Sequence, residues 1–385
     1  MTRDLDSVIR PSWELLALGE PTHAEPAFGW ARNQLFADLV RRGFRSVALE
    51  SDRVAGLVVD DFVRNGVGTL DRAMAEGFSH DFGEHPANRA LVAWLRNHNE
   101  GRPAADRVAW YGFDAPLETM NVPSPRRFLE AARDYLDPGL DLDRLLGPDE
   151  RWDSSEALLD REASVGASAD ADRLRTVADE LITTLYARAP ELIKASSLAA
   201  WREIEVRLTG ARQVLHYHRQ AAQPLADEPR WNRMCATRDA LMAQNLIDLR
   251  ALEAHRGPTL VFANNLHLQR QPSVMDMGPM HLEWNGAGSI MAGLLGDRYG
   301  FVAGSLGTSP TIGLGTPASG TIEAGLQSLV DGWGLIKITD VPAGDPRADT
   351  RAEQGYCRLD QETVAAADAL LHLADPTTVA VSSVP

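Results

Sequence analysis

Four short aliphatic runs, each ending in a polar cluster, recur along this chain: "WELLALGE" (13–20), "FRSVALE" (44–50), "RVAWYGFD" (107–114) and "PTLVFANNLH" (258–267). Their apolar character is nearly continuous rather than alternating, as expected of strands covered on both faces. Amphipathic helical patterning lies between them, from Phe28 to Arg42 and from Asn88 to Asn99. Short apolar runs alternating with helices predict an α/β fold with a mostly parallel central sheet and helices on both faces. "GDRYGFVAGSLG" (296–307) and "GLIKITDV" (334–341) are candidates for further strands.

The middle of the chain departs from this rhythm. After "DPGLDLDRLLGPDERWDSS" (137–155), rich in Pro, Gly and Asp, the pattern turns helical. Leu158, Leu159, Leu174, Val177, Leu181, Ile182 and Leu185 follow at three- and four-residue steps, a second helical stretch spans 190–220, and "RDALMAQNLIDLRALEAH" (238–255) continues the spacing. We expect an α/β core formed by residues 1–124 and 257–385. Residues 125–256 would be a long α-helical insertion, forming a cap or cleft wall.

Composition narrows the function classes. The net charge of −16 argues against nucleic acid and anionic membrane as partners, since both demand a basic face. Two cysteines, Cys235 and Cys357, make neither a disulfide framework nor a thiolate metal site by themselves. "MTRDLDSVIRPSWE" has no apolar core of signal-peptide length, and no run approaches the roughly 20 apolar residues of a membrane span. The expectation is a cytoplasmic soluble protein, with neither nucleic acid nor membrane as a main partner.

The polar clusters carry the chemistry. Glu20 and His23 follow the first predicted strand, Glu50 ends the second, Asp114 the third and His267 the fourth. Ligands of open α/β sheets bind beyond the carboxyl ends of the strands, so two imidazoles and three carboxylates would share one rim. Singly, each has a bland explanation: a strand-end Glu can cap the next helix, and a lone His is commonly a satisfied structural residue. Their coincidence on one edge favours a site. A carboxylate beside an imidazole fixes its tautomer and makes a general base for water. Arg32, nine residues beyond His23, is placed to pair with Glu20 or Glu50, to stabilise a developing oxyanion, or simply to sit on a helix surface. Two His and two Glu would also suit a divalent metal, but no closely spaced ligand pair supports one, so neither metal nor cofactor is expected. "AGSLG" (303–307) nearly matches a serine-nucleophile elbow but has Ala first, and nothing in the sequence ties Ser305 to a base. "GLGTPASG" (313–320) has Pro317 where a dinucleotide-binding helix should open. Residues 304–320 read instead as a mobile loop, expected to line the cleft. Glu25 reads as helix-start electrostatics.

"LLALGEPTHAE" resembles the Gly-Glu-x-x-His signature of the erythromycin esterase family, which includes proteins called succinoglycan-biosynthesis esterases. The resemblance continues through "RNQLFADLVRRGFRSVALESD", "WYGFD", "RDALMAQNL", "VFANNLHLQR", "GSIMAGLLGDRYGFVA" and "ADALLHLAD", covering most of the chain in order. It implies a hydrolase that opens a macrolactone or other bulky ester with His-activated water and no serine nucleophile. It also implies catalytic roles for Glu20, His23, Arg32, Glu50 and His267; Asp114, Asn264 and Asn265, at the ends of the same predicted strands, are our candidates for substrate binding. His23 would take the proton of water, Glu20 or Glu50 would orient it, and Arg32 would hold the carboxylates. His267 would bind the carbonyl oxygen or protonate the leaving alkoxide. Two positions depart from the family pattern: Ala24 stands where Gly is usual, and Asn264 where many members have His. Asn cannot shuttle a proton, so these departures motivate an alternative, a biosynthetic tailoring enzyme using the same site for lactone or ester formation, elimination or cyclisation. A binding or haem-carrying protein is a third class, disfavoured by an intact acid–base set.

Overall fold

In the computed structural model, which describes residues 5–136 and 139–381, a seven-stranded sheet forms the centre. Residues 137 and 138 of the expected punctuation segment, and 1–4 of the amino terminus, lie outside the described residues. The strands are β1 (Leu15–Glu20), β2 (Ser46–Asp52), β3 (Ala109–Asp114), β4 (Thr259–Asn264), β7 (Tyr299–Leu306), β8 (Trp333–Lys337) and β9 (Ala369–Leu373). Their order is β3-β2-β4-β1-β7-β9-β8, and every pairing is parallel except β8 with β9. The mostly parallel α/β architecture is as the alternating pattern predicts. The antiparallel edge and the strand β9, whose "ALLHL" is short and ends the chain's apolar patterning, are additions of the structure. A second addition is a hairpin, β5 (Ser273–Met277) and β6 (Met280–Trp284), turning at left-handed Gly278 (φ 59°).

The order reveals why the site sits where it does. The chain leaves β1 outward to β2 and β3, then returns to insert β4 between β2 and β1. Ligand crevices open where strand order reverses, and here the carboxyl ends of β1, β4, β2 and β3 lie side by side. Period-two alternation puts Leu16, Leu18, Val47 and Leu49 into a core covered by the Ala27–Arg41 and Pro86–Asn99 helices. Leu15, Ala17, Ala48 and Val261 enter a second core beneath the Asp227–Glu253 and Ala287–Leu295 helices. Helices Arg126–Leu136, Ala169–Ala187 and Leu198–Ala221 enclose a third apolar cluster. Val54, Ala115 and Leu117, from the ends of β2 and β3, join that cluster, so the helical layer is rooted directly beside the carboxyl rim. Among the described residues no helix is long and apolar enough to cross a membrane.

Candidate active site

The rim is built by backbone geometry first. Glu20 is the last residue of β1, in register with Asn264 of β4. An added Cβ on Gly19 would fall 2.1 Å from Asn265 Oδ1, so only glycine lets β1 pass that side chain. After Glu20 the chain turns sharply. Ala24 N–H donates to Thr22 Oγ1 at 3.2 Å, and the Thr22 hydroxyl to the Gln354 carbonyl at 3.0 Å. Cys357 N–H donates to Pro21 O at 2.7 Å. The turn brings His23 back over its own strand, with Nδ1 2.7 Å from Glu20 Oε1 and Nε2 3.7 Å from Glu50 Oε2. Burial opposes charging of His23, but Glu50 and Glu20 together hold its pKa above the ordinary 6.5.

Glu50 is the hub of the site. Oε1 accepts from Arg238 Nη2 at 3.1 Å and lies 3.2 Å from His267 Nε2, while Oε2 accepts from the Asn264 N–H at 2.9 Å. Burial alone would raise its pKa, yet His267, His23 and Arg238 hold it well below the carboxylate range. His267 is held on its other side by Asp239, Nδ1 to Oδ1 2.9 Å. Asp239 in turn accepts from Trp284 Nε1 at 2.7 Å and the Ala287 N–H at 2.8 Å. Burial disfavours a charged imidazole here, but the flanking Asp239 and Glu50 raise His267 to about 10. It is a fixed cation at neutral pH. Arg238 also grips Asp114, with Nε at 3.0 Å and Nη2 at 2.6 Å from Oδ2. Burial would raise Asp114, but Arg238 and His80 keep it ionised.

Glu20, His23, Glu50, Asp114, His267 and Asn264 are thus brought together. Arg32 is not an ion-pair partner of this set. Its Nε and Nη2 donate to Asn33 Oδ1 at 3.0 and 2.8 Å, and the guanidinium lies 4.8 Å over the Phe262 ring. Glu20 acts on Arg32 only through space, and the arginine that grips the carboxylates is Arg238. Asn265 turns away from the cavity, exchanging two hydrogen bonds with Gly304 (2.8 and 2.9 Å) and locking β4 to β7. Asn264 caps the turn that follows, accepting from Leu266 N–H at 3.0 Å and from Cys357 Sγ at 3.4 Å. Glu25 accepts from Ala27 N–H and from the Ser309 hydroxyl.

Two expectations need correcting. Ser305 does have an imidazole partner, His372 Nδ1 at 3.0 Å, contributed by β9, which the sequence did not reveal as a strand. Both residues are fully buried within the sheet and neither faces the cavity. Burial pushes His372 down to about 3, leaving a neutral structural pair. The loop after β7 does not line the cleft either. Arg347 donates to the carbonyls of Leu306, Gly307 and Gly315, and Gln354 to those of Ile312 and Gly313. Gly355 and Cys357, further along, face the cavity instead.

The cavity above these groups holds ≈ 630 Å³ and is walled by Leu117, Met120, Tyr217, Trp231, Met275 and Trp284. Bulky, largely apolar ligands suit such a wall. A smaller cavity of ≈ 270 Å³, lined by Glu20, Arg32 and Asn88 among others, shares His23, Glu50, Phe82 and His85 with it. Sequence reasoning missed Arg238, Asp239 and His80 as site residues. The first two stand in "RDALMAQNL", a stretch with its own resemblance signal, but Asp239 is indistinguishable there from a helix-surface acid.

A family model described as erythromycin esterase matches residues 39–373, a range that begins after Glu20, His23 and Arg32. Three solved structures share the fold. A histidine-to-asparagine mutant of the erythromycin esterase EreC, in its open conformation, is 18% identical with a TM-score of 0.67, covering 96% of this chain and 92% of that one. A Bacillus cereus protein is 16% identical (TM-score 0.65, 94% and 88%). A succinoglycan biosynthesis protein is 13% identical (TM-score 0.65, 94% and 88%). No curated protein matches the sequence.

Proposed function

Because the chain belongs to the erythromycin esterase family, we propose that it hydrolyses carboxylic esters, with a macrolactone or other bulky ester as substrate and water activated by His23. The observation that carries this reading is the Glu20–His23 contact of 2.7 Å, with His23 lining a cavity of ≈ 630 Å³ that suits a bulky ligand. Glu20 accepts a hydrogen bond from the Nδ1–H of His23, leaving a lone pair on Nε2. The 3.7 Å between Nε2 and Glu50 marks where a water can donate to the imidazole while a substrate carbonyl approaches from the apolar wall. His23 takes the proton, the water oxygen bonds to the carbonyl carbon, and negative charge develops on the carbonyl oxygen. The cations beside Glu50, Arg238 and His267, stabilise that charge. His267 keeps its proton throughout, so its role is electrostatic.

In this reading residues 1–124 and 257–385 are the catalytic core and 125–256 the cleft wall, and the protein works in the cytoplasm on a small molecule without nucleic acid. The tailoring alternative is favoured by one observation. Asn264, where many relatives have His, is committed to Leu266 N–H and Cys357 and shuttles no proton. Incubation with a panel of macrolides and bulky esters, read by mass spectrometry, decides the matter. Addition of one water, abolished in His23→Ala, is the expected result. Products without added water would establish the alternative, and full turnover by His23→Ala would sink the mechanism.

A further inference from the structure

Ester hydrolysis at this site needs a proton delivered to the leaving alkoxide, by His23 itself once it has taken the proton of water or by a second group facing the same cavity. Both nitrogens of His267 are committed to carboxylates, and flanking charge holds its proton to about 10. The Cys357 thiol is committed to Asn264 Oδ1 at 3.4 Å. Burial lowers His85, and among the described residues no carboxylate sits within hydrogen-bond distance to orient it.

A second carboxylate–imidazole chain faces the same cavity. His80 Nε2 lies 3.4 Å from Asp114 Oδ2, and its Nδ1 lies 3.2 Å from Thr119 Oγ1. His80 and Thr119 both line the cavity, and His80 meets His23 across the Phe82 ring, with centroid separations of 5.8 and 5.1 Å. The backbone is strained to make this arrangement. Among the described residues His80, Asp81 and Met120 are the non-glycine residues at positive φ (56°, 58° and 58°). They lie on two loops that meet above the cavity, joined where the His80 N–H donates to Glu118 Oε2 at 2.8 Å. Such conformations persist where surrounding contacts over-determine them.

We propose that Asp114, His80 and Thr119 form a proton relay that serves the leaving group, opposite the His23 base; this rests on the hydrolase reading above. As the tetrahedral intermediate collapses, its carbon–alkoxide bond breaks with the electron pair on the leaving oxygen. That oxygen takes the Thr119 hydroxyl proton, and His80, entering the step as the imidazolium with its Nε2–H on Asp114, replaces it from Nδ1–H and is left as the neutral ring. The proton held by His23 passes to solvent, and solvent reprotonates His80. Ester and water become alcohol, carboxylate and one proton. Asp114, already anchored by Arg238, orients the His80 ring.

Leaving-group dependence tests the relay, because an aryloxide departs without protonation and an alkoxide does not. His80→Asn retains a residue type that tolerates the left-handed backbone, and Thr119→Val preserves shape. Matched alkyl and aryl esters of one acid are compared by kcat/KM. Both variants are expected to lose ~100-fold on the alkyl ester and only a few-fold on the aryl ester, with Thr119→Ser restoring alkyl turnover. Equal losses on both esters, or no loss on the alkyl ester, overturn the relay while leaving the hydrolase reading intact. The matched pair is built on an acid whose ester the wild-type protein cleaves in the panel above; a panel with no hydrolysis at all overturns the hydrolase reading, and the relay with it.

Discussion

Glu50 is the residue on which the site's electrostatics converge, since His23, His267, Arg238 and the Asn264 N–H all address its two oxygens. Glu50→Gln keeps the shape but removes the charge that His267 and Arg238 neutralise. We expect kcat/KM to fall at least ~100-fold with the fold retained, checked by steady-state kinetics alongside circular dichroism. The pH profile follows from His23. Its folded pKa is raised, so it loses its proton only above 6.5, and a base works only when deprotonated. The acidic limb of kcat/KM should therefore have its midpoint above 6.5, and Glu20→Gln should move that midpoint down. An unmoved limb in Glu20→Gln would exclude His23 as the titrating base. Glu20, His23 and Glu50 were legible from strand-end position alone. Arg32 was legible as a site neighbour but not in its contacts, because helix spacing fixes a distance along the axis and not whether a guanidinium reaches a carboxylate or an adjacent Asn33. His80 gave no signal, since its partner Asp114 lies on a strand 34 residues away.

Elements meet at this rim through small residues whose need is steric. Gly19 and Asn265 are one such junction: the missing Cβ of β1 makes room for the amide that locks β4 to Gly304 of β7. Gly19→Ala should destabilise the protein by about 1–3 kcal/mol, the usual cost of overpacking, measured by urea unfolding. Asn265→Ala should also destabilise, through the two lost hydrogen bonds. In the double variant the clash is gone, so its loss should be smaller than the sum of the single losses; strict additivity would mean that the two do not share that space. Here the sequence was half readable. A Gly before a strand-end Glu is visible, but its reason lies 246 positions away in a strand pairing no local pattern encodes. The β5–β6 hairpin was unreadable for a related reason: β5, half-exposed on its outward side, mixes Met with Asp and lacks the continuous apolar run that marked the buried strands.

At the scale of the molecule, buried imidazoles set how the fold responds to pH, and they pull in opposite directions. His218 and His372, sealed away from solvent, are depressed by burial to about 4 and about 3. The unfolded chain binds their protons near 6.5, so the stability they contribute is full above that value and is lost as pH falls toward 3. His267 is the reverse. Its folded value of about 10 lies above the unfolded 6.5, so its contribution is full below 6.5 and is lost as pH climbs through 10. Stability should therefore be greatest between these windows and decline on both sides, by a few kcal/mol on each. Two variants separate the causes. His372→Gln, which retains a partner for Ser305, should flatten the acid decline and leave the alkaline one unchanged. His267→Gln should flatten the alkaline decline and leave the acid one. Chemical unfolding across pH 3–11 reads both arms, and an alkaline decline that survives His267→Gln would place its origin away from the Glu50–His267–Asp239 cluster.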